Sequence, residues 1–80
     1  MTEVHAYVLV QTEVGKAAHV AQAIAELPGV SSAEDVTGPY DVIARVSAAS
    51  NDDLGRDVIG PLQGLHGITR TLTCSVVTLT

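Results

Sequence analysis

The sequence has little of what usually holds a very small domain together. It contains no tryptophan, no phenylalanine and a single cysteine, Cys74, so an internal disulfide is excluded. Only four basic residues stand against nine acidic ones, giving a net charge of −5. Binding to nucleic acid or to an anionic membrane relies on Lys and Arg, so this charge balance argues against both. His5, His19 and His66 show no paired ligand spacing, and we therefore expect neither a metal nor another cofactor.

Long apolar runs are also missing. No stretch approaches the 18 or more residues of a membrane span. Thr2 and Glu3 stand where a signal peptide would carry basic residues. A lone cysteine fits the reducing conditions of the cytoplasm. The expectation is a cytoplasmic protein without a membrane segment.

What is present is a short and apolar chain. We expect residues 1–80 to form one domain, which at this size buries only roughly 60–65% of its chain surface. Apolar residues make up 46% of the sequence and charged residues 16%, which is too little charge to cover a whole monomer. With disulfides and metal excluded, association with other subunits is the remaining source of stability. The chain is therefore expected to bind itself.

The hydrophobic periodicity predicts the element order βαββαβ. Helical spacing of apolar residues begins at Lys16 and ends at Pro28-Gly29. It returns after Ser50, which with Asp53 three residues on forms a weak variant of a helix capping box, and a kink or a short second segment is expected at Gly60-Pro61. The predicted strands are 5–11, 30–37, 41–46 and 68–79. This order is the split βαβ pattern, an α+β ferredoxin-like fold with two helices on one face of a four-stranded antiparallel sheet.

Both faces of the predicted sheet are apolar, although two short helices can cover only one. Alternation from Ile68 predicts that Leu72, Cys74 and Val76 lie under the helices. The other set of that strand would face outward: Thr69, Thr71, Thr73, Ser75, Val77 and Leu79. The outward apolar residues of the whole sheet would then be Tyr7, Leu9, Ile43, Val77 and Leu79. Since exposing five such side chains is costly, we predict a face-to-face dimer, the alternative being a loop that folds over this surface.

Several motifs, taken in order and spacing, resemble one known family. The strand 6–10 runs into Gly15-Lys16, and Leu27-Pro28-Gly29-Val30 joins the first helix to the second strand. Residues 37–42, T-G-P-Y-D-V, resemble a T-G-x-Y-D-hydrophobic turn, and 65–68, L-H-G-I, precede T-x-T at 71–73. This pattern resembles the effector-binding domain, also called RAM, of the Lrp/AsnC (feast/famine) transcription regulators. The likeness covers nearly the whole chain, with His66 standing where the family usually has proline.

The resemblance implies an oligomer that binds a small effector. Family members pair their sheets into dimers, which assemble into rings, often octamers, and effectors, typically amino acids, bind between dimers. The G-x-Y-D turn contributes to that site, so Gly38, Tyr40 and Asp41 are the candidate ligand-binding residues. Secondary candidates on the last strand are Thr71, Thr73 and Ser75. Full-length members begin with a helix-turn-helix that this sequence does not show, so the likeness is to stand-alone members and does not imply DNA binding by this chain.

Structural roles for the candidate residues stay open at this point. Gly38 can supply a turn with positive φ, Asp41 can cap its own turn, and Tyr40 can anchor a subunit contact. No nucleophile with an adjacent base and no phosphate loop indicates catalysis, so we expect no enzyme. The expected role is an effector-binding module linked to the regulation of amino-acid metabolism. The alternatives are a structural assembly partner of full-length regulators and a small monooxygenase-like enzyme of the dimeric α/β-barrel type.

Overall fold

A computed structural model describes residues 3–77 of the chain. One sheet of four antiparallel strands has the order β2-β3-β1-β4. The strands are β1 (Val4–Thr12), β2 (Val30–Asp35), β3 (Val42–Ala48) and β4 (Ile68–Ser75). The helices are α1 (Ala17–Ala25) and α2, which runs through Asn51–Asp53, Leu54–Ile59 and Gly60–Gln63. The predicted βαββαβ order and the ferredoxin-like α+β fold are confirmed. Within residues 3–77, neither helix is long and apolar enough to cross a membrane.

The core is built from small aliphatic side chains between the sheet and the two helices. Every second residue of β1 and β3 points at the helices, and one stripe of each helix points back. The buried set is Ala6, Val8, Val10, Val20, Ala21, Ile24, Val42, Ala44, Val46, Leu54, Val58 and Leu62. No polar or charged side chain is buried among residues 3–77. The buried core between the sheet and the helices is therefore made of hydrophobic side chains alone.

The second helix changes its geometry before its proline. Its start is capped as the sequence predicts, because the Ser50 hydroxyl accepts a hydrogen bond of 3.1 Å from the Asp53 N–H. The predicted interruption at Gly60-Pro61 is a change of helix type, in which Leu54–Ile59 form a π-helical turn and Gly60–Gln63 return to α-helix. Proline lacks an N–H and crowds the carbonyl four residues before it. The wider turn lets the helix pass Pro61 and still bury Leu62.

Two glycines allow the helices to approach the sheet closely. Gly29 has a φ of +85°, and a Cβ there would lie 2.6 Å from Cγ2 of Val58. Gly67 has a φ of +98°, and a Cβ there would lie 3.1 Å from Cγ2 of Val20. Both positions combine a left-handed backbone with close packing, so any other residue would be strained twice.

A β-bulge at the start of β4 overturns part of the predicted sheet. Thr12 is opposite Ile68 while Gln11 is opposite Arg70, so one residue of β4 is skipped and the alternation reverses after it. Ile68 packs against the core as predicted. The predicted placement of the residues after the bulge is wrong. Thr71, Thr73 and Ser75 lie on the helix face of the sheet, together with their partners in β1. Leu72 and Cys74 lie on the face away from the helices, opposite Leu9 and Tyr7. A slip of one residue moves a whole strand to the other face.

The helices leave most of β4 uncovered. The first helix packs mainly on β2 and β3, and the π-helical part of α2 packs on β3. From Leu72 to Ser75 the side chains are exposed on both faces of the sheet. Because β4 is also an edge strand, the backbone groups on its outer side have no neighbouring strand in this sheet.

Candidate functional site

The predicted T-G-x-Y-D turn lies beside the end of β1. It joins β2 to β3, and its two ends are linked by a hydrogen bond of 2.8 Å from the Val36 N–H to the Asp41 carbonyl. The Asp41 N–H donates to the Val10 carbonyl at 2.9 Å, and the Gln11 side-chain amide donates to the Pro39 carbonyl at 3.1 Å. These bonds tie the turn to the carboxyl end of the central strand. The turn is therefore a fixed part of the sheet edge.

The Asp41 carboxylate has a structural partner that the sequence did not reveal. Its Oδ2 accepts hydrogen bonds from the Thr12 N–H at 2.8 Å and from the Thr12 hydroxyl at 3.3 Å. The interpretation that Asp41 caps its own turn is thus wrong, because it caps the end of β1 instead. Both bonds end on Oδ2, and Asp41 forms no ion pair within residues 3–77. Oδ1 is left for another donor, and a carboxylate oxygen accepts strongly from an ammonium group.

The other two candidate residues of the turn, Gly38 and Tyr40, differ in exposure. Gly38 is exposed, and a Cβ built on it would meet nothing within 4 Å. Its φ is not positive, so the alternative that it supplies a left-handed turn is wrong. Tyr40 is half-buried. Gly38 leaves its backbone open to an approaching molecule, which is the second common reason for glycine in a binding loop.

Thr71 lies on the other side of β1 from this turn. It is opposite Val10 in the sheet, and its hydroxyl accepts a hydrogen bond of 2.9 Å from the Gln63 side-chain amide. A shallow cleft of about 220 Å³ lies here, lined by Gln63, Thr71 and the bulged start of β4. Gln63 is a site neighbour that the sequence did not indicate, since the bond joins the end of a helix to a strand.

The six candidate residues do not form one cluster within the chain. The turn and Thr71 flank β1 at the same end of the sheet, so they lie two strand spacings apart, roughly 10 Å. Thr73 and Ser75 continue along β4, roughly 7 and 14 Å beyond Thr71. The structure thus brings Gly38, Tyr40 and Asp41 together and leaves the hydroxyls of β4 in a separate row.

A second cleft, of about 310 Å³, lies at the opposite end of the sheet. Small and apolar residues line most of it, and Asp53 and Asp57 are its acidic lining residues. Arg56 donates to Asp53 at 2.6 Å and to Asp57 at 3.0 Å, and its hydrogen bond holds the pKa of Asp57 below the ordinary value. Within residues 3–77 no group of His, Cys, Asp and Glu could hold a metal ion. We assign no ligand to this cleft.

The open face of the sheet carries part of the predicted dimer surface. Tyr7, Leu9 and Ile43 lie on it as predicted, and the bulge adds Leu72 and Cys74. We use the name open face for the side that these five residues share. Tyr7 is 41% exposed and Leu72 is 47% exposed. Val77 lies past the end of β4 and is 76% exposed, and Leu79 lies outside the described residues.

Comparison with known proteins identifies the family. The Lrp/AsnC ligand binding domain matches residues 5–78, so the chain belongs to the family of Lrp/AsnC ligand-binding domains. An uncharacterised HTH-type transcriptional regulator of Pyrococcus furiosus, PF0250, is 37% identical over 54 residues, which are 68% of this chain and 36% of the regulator. The chain therefore matches about a third of that relative's length. The predicted resemblance is confirmed.

Two solved structures show how far the likeness extends. The structure of TTHA0845 from Thermus thermophilus matches with a TM-score of 0.87 and 32% identity, over 96% of each chain. The transcriptional regulator NMB0573 of Neisseria meningitidis, in its complex with L-methionine, matches with a TM-score of 0.78 and 21% identity. That match covers 94% of this chain and 50% of the regulator. The Thermus protein is thus a relative that matches this chain over nearly the full length of both, and the Neisseria regulator shows the shared fold.

Proposed function

We propose that this chain is an effector-binding, self-associating module of amino-acid-linked transcriptional regulation, without catalytic activity. The observation that carries the proposal is the anchored turn, in which Thr12 fixes Oδ2 of Asp41, Gly38 is exposed, and Oδ1 of Asp41 has no hydrogen-bond donor within residues 3–77. Such a fixed and open turn is suited to binding a small polar molecule, because little order must be created when the molecule arrives. Membership in a ligand-binding family supports the same role.

The chemistry of the turn favours an amino acid as the effector. Oδ1 of Asp41 can accept from an ammonium group, and the exposed backbone at Gly38 can approach a carboxylate. The Neisseria regulator with L-methionine bound supports this class of ligand. Because Thr71 lies two strands away, a small ligand at the turn would reach Thr71, Thr73 or Ser75 only on a second chain. We therefore place the complete site between subunits.

Self-association through the open face is the second part of the proposal. Leu9 and Ile43 are half-buried in the centre of this face, and Leu72 and Cys74 are exposed beside them. Fully burying an aliphatic side chain of this size contributes about 1.5–3 kcal/mol, so pairing two such faces would stabilise a small chain substantially. The pairs would then assemble into a larger ring, with the turns where the pairs meet.

The chain is proposed to act in the cytoplasm, alone or together with full-length regulators. With four basic residues, it offers little to neutralise DNA phosphates by itself. A purely structural assembly partner is the second candidate. The use of Asp41 as a cap for β1 favours that candidate, because this role explains the carboxylate without any ligand.

Calorimetry of the assembled protein against each of the twenty amino acids tests the proposal. Asp41→Asn is the matched variant, because its amide oxygen can still accept from the Thr12 N–H while the negative charge is lost. The expected result is that one or a few amino acids bind and that the variant loses this binding with its assembly intact. If no amino acid binds to the assembled wild type, the effector-binding role is wrong and the structural role replaces it.

A further inference from the structure

A charged side chain lies in the middle of the apolar open face. Arg45 is on β3, opposite Tyr7 of β1 and Ser32 of β2, and it is half-buried. Its Nη1 donates to the Tyr7 hydroxyl at 2.6 Å, and its guanidinium carbon lies 5.1 Å from the centre of the Tyr7 ring. A guanidinium has five N–H donors, so this single bond leaves most of them for other acceptors.

The same face carries one carboxylate among its strand residues. Glu34 of β2 is opposite Ile43, which places it on the open face two residues from the row of Arg45. Within residues 3–77 neither Glu34 nor Arg45 forms an ion pair. The guanidinium is turned toward Tyr7 and the centre of the sheet, whereas Glu34 stays on the edge strand. Arg45 and Glu34 are thus a cation and an anion on one face that do not meet within the chain.

We propose that Arg45 and Glu34 select the partner of the open face, with the guanidinium of each chain binding the Glu34 carboxylate of a second copy. The proposal rests on the self-association proposed above. Closing the open face removes water from Arg45, and a buried charge is tolerated only when an opposite charge is supplied. A second copy supplies one Glu34, and the Arg45–Glu34 contact then occurs twice in the dimer, since residue i contacts j and j contacts i across a two-fold axis. An apolar partner without a carboxylate would leave Arg45 buried and unpaired.

Charge reversal on separate chains tests this pairing. Arg45→Glu gives each face two acidic residues with Arg70 as its one cation, and Glu34→Arg gives it three basic residues and no acidic one, so each homodimer should weaken roughly 100-fold. Mixing the two variants restores both opposite-charge contacts, and the mixture should form heterodimers almost exclusively in native mass spectrometry. Arg70→Glu mixed with Glu34→Arg is the matched control, because Arg70 is the other cation on this face, and no such preference is expected there.

The outcomes separate this inference from the proposed function. If the wild type is a monomer at micromolar concentration, self-association itself is wrong. If the wild type pairs but the two variants mix without preference, or remain monomers when mixed, the Arg45–Glu34 contact between chains is overturned. Should a reversal variant fail to fold, a double-mutant cycle of dimer affinity with Arg45→Gln and Glu34→Gln gives the answer. Additive losses in that cycle would contradict the pairing, and a coupling of about tenfold or more would support it.

Discussion

The two faces of the sheet are made of different chemistry. The covered face presents alanine, valine and the aliphatic residues of both helices, and every one of its core side chains is at most 5% exposed. The open face mixes Leu9, Ile43 and Leu72 with Tyr7 and Arg45, and its residues are half-buried or exposed. Cores are closed by packing, whereas surfaces that meet a partner keep polar groups that choose it. In the proposed assembly, the covered face folds the chain and the open face recognises a second copy.

Removing the fully buried leucine that α2 packs onto the covered face should have the largest effect. Leu62 is fully buried behind the π-helical turn, and Leu62→Ala should lower the free energy of unfolding by about 2–5 kcal/mol, a large part of the stability of a small domain. Urea denaturation followed by circular dichroism measures this. Leu65→Ala, at a half-buried position, is the control and should cost clearly less. Equal losses would mean that the packing of α2 is not what the structure indicates.

Two neighbours on β4 should separate the faces most sharply. Leu72 is on the open face and Thr73 on the helix face, and both are exposed. Leu72→Asp should weaken the pairing of two copies by roughly 10–100-fold, because a charge replaces an aliphatic contact. Thr73→Asp should leave the pairing within a few fold of the wild type. Sedimentation equilibrium measures the pairing of both variants. If Thr73→Asp weakened the pairing more than Leu72→Asp, β4 would follow the uninterrupted alternation predicted from the sequence, and the bulge would be wrong.

Two glycines at opposite ends of the sheet should respond differently to alanine. Gly29→Ala forces a Cβ against Val58 at a positive φ, so it should destabilise by about 1–3 kcal/mol. Gly38→Ala meets nothing in its own chain and should change stability by less than about 0.5 kcal/mol. Thermal melts measure both. If Gly38→Ala also abolishes amino-acid binding, the backbone there is approached by ligand or by a second chain.

The Asp41 cap should contribute a smaller amount. Asp41→Ala leaves the Thr12 N–H without its acceptor and should cost about 0.5–1.5 kcal/mol, whereas Asp41→Asn keeps an acceptor and should cost less. Chemical denaturation of the two variants in parallel gives the comparison. Equal losses in both would show that the charge of Asp41, and not its hydrogen bond to β1, holds the turn.

The smallest effect is expected at the exposed Arg56–Asp57 pair. The hydrogen bond from Arg56 lowers the pKa of Asp57 in the folded protein. The stabilisation is therefore present above the unfolded pKa of Asp57 and is lost as the pH falls through the folded one, below about pH 4. Asp57→Asn should be slightly less stable than the wild type at neutral pH, with the two melting curves converging in acid. A constant difference at all pH values would exclude this cause.

The sequence predicted the parts of the fold that depend on local periodicity. The apolar stripe of α1, the cap at Ser50 and the order of the strands all follow from spacings within a few residues. The prediction of which β4 side chains face the helices was wrong after Ile68. The bulge beside Thr12 depends on how β4 pairs with β1, and no pattern within β4 reveals that pairing. The π-helical turn before Pro61 was not predicted either, because it goes with the burial of Leu62 in the core, which is a tertiary contact and not a local pattern.

The candidate site was predictable only in part. The turn residues Gly38, Tyr40 and Asp41 were indicated by resemblance, and they do lie together. The bond from Thr12 to Asp41 spans 29 residues of sequence, and the bond from Gln63 to Thr71 joins two elements. Neither partner has a residue type or spacing that marks it in advance. The binding role of the six candidates remains a prediction.

Alkylation of Cys74 tests most directly whether the open face is where two copies meet. Cys74 is the only cysteine of the chain, and it is exposed opposite Tyr7 on this face. Its rate of reaction with a small thiol reagent should fall as protein concentration rises through the dissociation constant measured by sedimentation. A rate that stays constant while the protein passes from monomer to dimer would place the interface elsewhere and contradict the account.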